Sequence, residues 1–284
     1  MMNRNTCLAL LPVVVLACGD DDEPVAVTLE FDAVIGAVSA GCDTMITDVD
    51  ANGTDAMLAD ARLFISEIEL QNGDGDWTPL ALEQSSVWQT ANVALLDFEN
   101  GAGSCSSSGT AEMNNQVIGE LPSGEYSGLR FTVGLPFDLN HLDDATSPAP
   151  LNSPGMFWQW QDGYKFVRVD WMPNNAERWN VHLGSRGCDN GGDLNTVPPD
   201  SECTRSNRPR IELAGYTLLD PVIIDLGELV ASSNVSTNLP MSPPGCMSAP
   251  TETEDCDPVF GALGLDFASG DCVAGCEGQS VFSR

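Results

Sequence analysis

The dominant signal along this chain is alternation of apolar and polar positions over short runs. Residues 26–36 (AVTLEFDAVIG) alternate as a half-buried strand does, and residues 59–71 (ADARLFISEIELQ) form a second such run. Asn72-Gly73-Asp74-Gly75 then gives a turn, and residues 77–82 return from it as a hairpin. Residues 87–98 read as a further strand. Residues 116–121 and 126–136 form another pair, split by the turn Pro122-Ser123-Gly124-Glu125. Residues 164–171 and 178–183 pair across a turn at 172–177, and residues 208–213 and 221–224 are short strands. Between these runs, residues 137–153 lack any period and predict a long loop, a kind of segment that often carries function. Ser153-Pro154, then residues 155–162 closed by Gly163, have the grammar of a short helix: serine N-cap, proline in the first turn, glycine after the end. Residues 225–232 and 258–263 suggest further helical turns. Many short strands with closely spaced turns predict an all-β fold. We expect an antiparallel β-sandwich with long loops, a few short helices and several disulfides. Residues 26–284 show no repeat and no clean boundary, and read as one domain.

The segment before the first strand has a different pattern. Arg4 precedes a short apolar run at residues 7–17, too short to span a bilayer as a lone anchor. Ala17 stands just before Cys18, and Asp20, Asp21, Asp22 and Glu23 follow. Residues 1–17 therefore read as a lipoprotein-type signal peptide with Cys18 as the lipidated residue, and 18–25 as an acidic tether. The expectation is an exported chain, in the periplasm or on the outer surface, that meets membrane only through that lipid. An ordinary secretory signal with an incidental Cys18 is the simpler alternative.

Composition narrows the function. A formal charge of −31 repels nucleic acid and anionic lipid and excludes both as primary partners. Discounting Cys7 and Cys18 leaves Cys42, Cys105, Cys188, Cys203, Cys246, Cys256, Cys272 and Cys276, an even set that reads as disulfides in an exported chain. Proximity in sequence favours Cys188–Cys203, Cys246–Cys256 and Cys272–Cys276, with Cys42–Cys105 as the long-range pair.

Scarce residues gather between Leu135 and Gly184. This stretch holds the only two histidines, His141 and His182, the only lysine, Lys165, and Trp158, Trp160, Trp171 and Trp179 of the six tryptophans. Imidazole suits copper, zinc, iron and nickel, although a lone histidine is more often packed or on the surface. Two imidazoles underfill a tetrahedral zinc site. Met156 and Met172 could add thioether sulfur, but core packing explains each as well. A blue-copper centre needs a free thiolate, and every mature cysteine has a disulfide role. Trp158 and Trp160 on either side of Gln159 are equally consistent with core packing. Calcium held by loop acids such as Asp138, Asp143 and Asp144 is an unspecific alternative. A hydrolase acid pair is another, but no nucleophile elbow, zinc-protease motif, P-loop or haem-attachment motif accompanies it.

Several longer motifs go further. GLRFTVGLPFDLNH, APLNSPGMFWQWQDGYKFVRVDW, VHLGSRGC, NRPRIEL, ARLFISEIEL, VWQTANVALLDFENGAGSC and CDPVFGALGLDF resemble the MbnP-type copper-binding proteins over nearly everything from Val25 onward. Cys272 and Cys276 look like an addition to that pattern. The resemblance implies a non-enzymatic, monomeric β-sandwich that binds one copper. It also implies a partner, a di-haem c-type cytochrome of the peroxidase-like superfamily, that oxidises a tryptophan to kynurenine. Carried onto this chain, His141 of LNH and His182 of VHLG become copper ligands, and either Trp158 or Trp160 becomes the kynurenine. Acquisition, storage and delivery of copper stay open. The competing reading is a calcium- or glycan-binding surface β-sandwich.

Overall fold

In the computed structural model the described residues are 23–107, 109–174, 177–189 and 197–284. The expected signal peptide, Cys18 and most of the acidic tether lie outside them. The strands that matter here are β1 (Pro24–Ile35), β2 (Ala56–Asn72), β3 (Val93–Asp97), β4 (Gln116–Pro122), β5 (Tyr126–Val133), β6 (Phe157–Gln159), β7 (Gly163–Tyr164), β8 (Val167–Pro173), β9 (Trp179–Leu183), β10 (Arg210–Ala214), β11 (Val222–Asp225), β12 (Gly245–Cys246) and β13 (Phe282–Ser283). Two helices accompany them, α1 (Phe137–Asn140) and α2 (Thr253–Ala262).

The smaller sheet runs β13-β11-β1-β4 and ends on Ala81–Leu82. The larger runs β10-β5-β2-β8-β9-β12. Among the described residues, pairing between these strands is antiparallel except for β1 with β11 and β9 with β12, which are parallel, so the sandwich is mixed rather than purely antiparallel. The 17-residue β2 is the hub. One of its edges pairs with β8 and then with β5, while the other carries β3 at Arg62↔Asp97 through Ser66↔Val93. A register shift beside Glu67, whose φ is +53°, lets so long a strand bend as it passes between partners.

The alternation expected of β1 is what buries it. Leu29, Phe31, Ala33 and Ile35 enter the core, and Phe31 meets Phe131 of β5 edge to face, with ring centroids 6.0 Å apart. Trp171 and Trp179 lie in this same core between the sheets. The second face of the larger sheet is also covered. Phe64, Val93, Leu95, Leu135, Leu151, Met156, Tyr164 and Phe166 form a separate apolar cluster beneath the 135–166 segment. Polar residues on that outer face of β2, β8 and β9 are therefore buried, although alternation alone marks them as solvent-facing.

Residues 155–162 do not form the expected helix. Pro154–Met156 makes one 3₁₀ turn, and β6 then pairs with β7 as a hairpin. The Gly155 carbonyl that a helix would use internally accepts instead from Lys165 Nζ and Arg168 Nη1, both at 2.9 Å, and the Met156 carbonyl accepts from the Lys165 amide. The disulfides are Cys42–Cys105, Cys188–Cys203, Cys246–Cys256 and Cys272–Cys276. Cys246–Cys256 ties α2 to β12.

Candidate metal centre

The β9 register decides where His182 goes. Trp179, Val181 and Leu183 fill the core, so His182 projects to the covered outer face. There it stands opposite Arg168 of β8, which stands opposite Arg62 of β2, which in turn stands opposite Asp97 of β3. The adjacent row is Asn180, Asp170 and Asp60. The two rows interlock by charge. Arg62 forks onto Asp60 at 2.8 and 2.6 Å, and Arg168 reaches both Asp60 (3.1 Å) and Asp170 (2.8 Å). His182 Nε2 lies 2.7 Å from Asp170 Oδ1.

This network fixes protonation. Burial opposes charge on Asp170, but the His182 N–H and the Arg168 guanidinium outweigh it and hold the carboxyl at about 2. An ionised carboxylate can only accept, so His182 Nε2 carries the proton. Burial holds the imidazole below its ordinary pKa despite Asp170, so the ring is neutral and its lone pair is on Nδ1. At the far end of the row, burial pushes Asp97 up to about 7; the Glu99 charge adds to the shift, and the Glu99 amide and Arg62 oppose it.

His141 follows α1 and is buried as well. Its Nδ1 lies 2.9 Å from the Trp160 carbonyl oxygen. A carbonyl only accepts, so Nδ1 carries the proton and the lone pair is on Nε2, where the Asn140 amide donates at 3.1 Å. Burial lowers this imidazole's pKa too. Asn140 is itself a clamp: its Nδ2 donates to Ser185 Oγ and its Oδ1 accepts the Tyr164 amide.

The two histidines thus meet different immediate partners, and the FWQWQ segment touches both. The Trp158 ring lies 6.4 Å from the His182 ring, while Trp160 reaches His141 through its backbone carbonyl. Trp158 is held by shape: a Cβ built on Gly184 would come within 2.4 Å of its Cζ3. Arg186 and Lys165 lie over the indole at 4.3 and 5.8 Å. Burial and the Arg168 charge bring Lys165 down to about 8. Trp160 packs on Phe157 instead.

Met156 is enclosed in the outer apolar cluster and Met172 lies against Arg178. Asp143 caps its own loop, accepting the Ala145 amide. Among the described residues, ligating atoms converge at His141, Cys188 and Cys203, and Asp138, Asp143 and Asp144 form no such group. The residues missed from sequence are Asp60, Arg62, Arg168 and Asp170. Their signal is charge alternating within ADAR and VRVD, which ordinarily marks an exposed face.

The family model for MbnP matches residues 24–248. The chain belongs to the MbnP family. Its fold is also similar to the solved structure of MbnP from Methylosinus trichosporium, with a TM-score of 0.77 and 31% identity over 90% of this chain and 93% of that one. No curated protein matches the chain. The family match ends before Cys256, Cys272 and Cys276, so the last two disulfides reach or lie beyond its end.

Proposed function

We propose that this chain is an exported, lipid-anchored copper-binding protein rather than an enzyme, holding copper through His141, His182 and a kynurenine made from Trp158. The observation that carries this reading is the reach of FWQWQ: one short segment lies against both histidines. Membership of the MbnP family supports it. The donor set also fits copper. Both rings are neutral, each offers one lone pair, and His182 has the carboxylate behind it that fixes a metal-binding imidazole. Trp158 is the better modification site, because its ring rather than its backbone faces a histidine. Conversion of its indole to kynurenine would place a ketone and an aromatic amine beside His182. We assign the conversion to a di-haem cytochrome partner, which accepts the electrons while water supplies the oxygen and the excised ring carbon leaves as formate.

The test uses protein from cells that express the haem partner. Copper per chain is measured for the parent, His141→Ala and His182→Ala, and each variant should lose most of its copper. Full retention in both sinks the assignment. Fragment-ion masses should place a gain of about 4 Da, one carbon lost and one oxygen gained, on Trp158. The same gain on Trp160 would move the modification site, and no gain on either would remove kynurenine from the ligand set.

A further inference from the structure

We propose that His141, Cys188 and Cys203 form a reduction-gated binding site for a thiophilic closed-shell cation, Cu(I) or Zn(II). The site shares His141 with the function proposed above but does not rest on it, because thiolates supply most of its donors and His182 takes no part. Three observations carry it. First, a ring nitrogen of His141 lies within 4.8 Å of both Sγ atoms of the Cys188–Cys203 disulfide. Second, Cys203 Sγ is 3.5 Å from His141 Nε2. Metal–sulfur and metal–nitrogen bonds of about 2.3 and 2.0 Å at a tetrahedral angle span a ligand edge of roughly that length, so this pair is already spaced as co-ligands. Third, Nε2 is the unprotonated nitrogen, because Nδ1 is committed to the Trp160 carbonyl.

While the disulfide holds, its sulfurs are poor donors and the site is closed. A dithiol reductant opens it by thiol–disulfide exchange. Cys203 lines a cavity of about 80 Å³ with Asn140, Ser185 and Glu202, whereas Cys188 is buried. Attack therefore falls on Cys203 Sγ, Cys188 leaves as thiolate, and the reductant's second thiol resolves the mixed disulfide. The reductant ends as a disulfide and the protein as two thiols. Cation binding then releases the two thiol protons, with His141 Nε2 as third donor and the fourth position facing the cavity.

The experiment is metal titration of the full chain, oxidised and phosphine-reduced, under nitrogen, with Zn(II) and separately with Cu(I) against a chromogenic chelator. Cys246→Ser/Cys256→Ser and Cys272→Ser/Cys276→Ser backgrounds, tested separately, remove the other two short-range thiol pairs. Reduction should add one equivalent, with two protons released per Zn(II). That equivalent should vanish in Cys188→Ser/Cys203→Ser, weaken by at least about tenfold in His141→Ala, since loss of a direct donor should cost no less than loss of an outer-shell partner, and persist in His182→Ala. In the reduced parent chain, bound cation should protect Cys188 and Cys203 from alkylation. Retention of the extra equivalent in the double serine variant, its loss in His182→Ala, or unprotected alkylation of Cys188 and Cys203 would each overturn the proposal.

Discussion

Asp97 ends the cross-strand row that begins at His182, and it is the carboxyl that burial disturbs most visibly. Its folded pKa of about 7 lies above the ordinary carboxylate value of 3.8. The folded state therefore binds more protons than the unfolded state between these values. The associated stability is fully present below about pH 4 and is lost as pH rises through 7. At about 1.4 kcal/mol per unit, the loss is on the order of 1–4 kcal/mol. Asp97→Asn should be more stable than the parent at pH 8, with the difference shrinking toward pH 5, as read from urea midpoints at both pH values. Asp170 has the opposite role, since its ionised carboxylate fixes the His182 tautomer. Asp170→Asn should weaken copper binding about 10–100-fold in chelator competition. It should also lower the thermal midpoint, because Arg168 loses a buried partner. At this scale the sequence exposes chemical types but not their partners. His141, His182 and the tryptophans stand out because they are scarce. Asp60, Arg62 and Asp170 do not, because charges alternating along a strand look the same whether or not a loop covers them.

Gly184 marks the joint between β9 and the loop carrying Cys188. A side chain there would meet the Trp158 ring and, at 2.8 Å, the Tyr164 carbonyl oxygen, which belongs to backbone and cannot swing aside. Gly184→Ala should cost about 1–3 kcal/mol by overpacking and shift the tryptophan emission as Trp158 is displaced. Thermal melts and fluorescence of the purified variant test both. Elements are where the sequence pattern performs best. β1, β2 and the pairs β4–β5 and β8–β9 lie close to their expected runs, since each has an apolar face to bury. The pattern performs worst at residues 155–162, where the serine, proline and glycine signals of a helix are all present. Tertiary donors from Lys165 and Arg168 take the Gly155 carbonyl and redirect the segment into a hairpin.

Across the whole molecule, a formal charge of −31 is a self-repulsion that salt screens. The thermal midpoint should therefore rise between about 10 mM and 300 mM sodium chloride, where the Debye length falls from about 30 Å to below 10 Å. A midpoint that stays flat or falls would place the decisive charges in buried pairs such as Arg62–Asp60 instead. The sequence by itself determined the all-β class, the short strands and the inventory of scarce donors. It did so because alternation, turn residues and residue type are local properties. Proximity in sequence also favoured the disulfide pairs, three of which close loops of 15, 10 and 4 residues. Only the tertiary structure decided that the larger sheet is covered on both faces, because that covering is made by residues 135–166 folding back over strands distant in sequence. With it came the buried charge rows, the protonation of each imidazole, and the contacts of Trp158 with His182 and of His141 with Cys203.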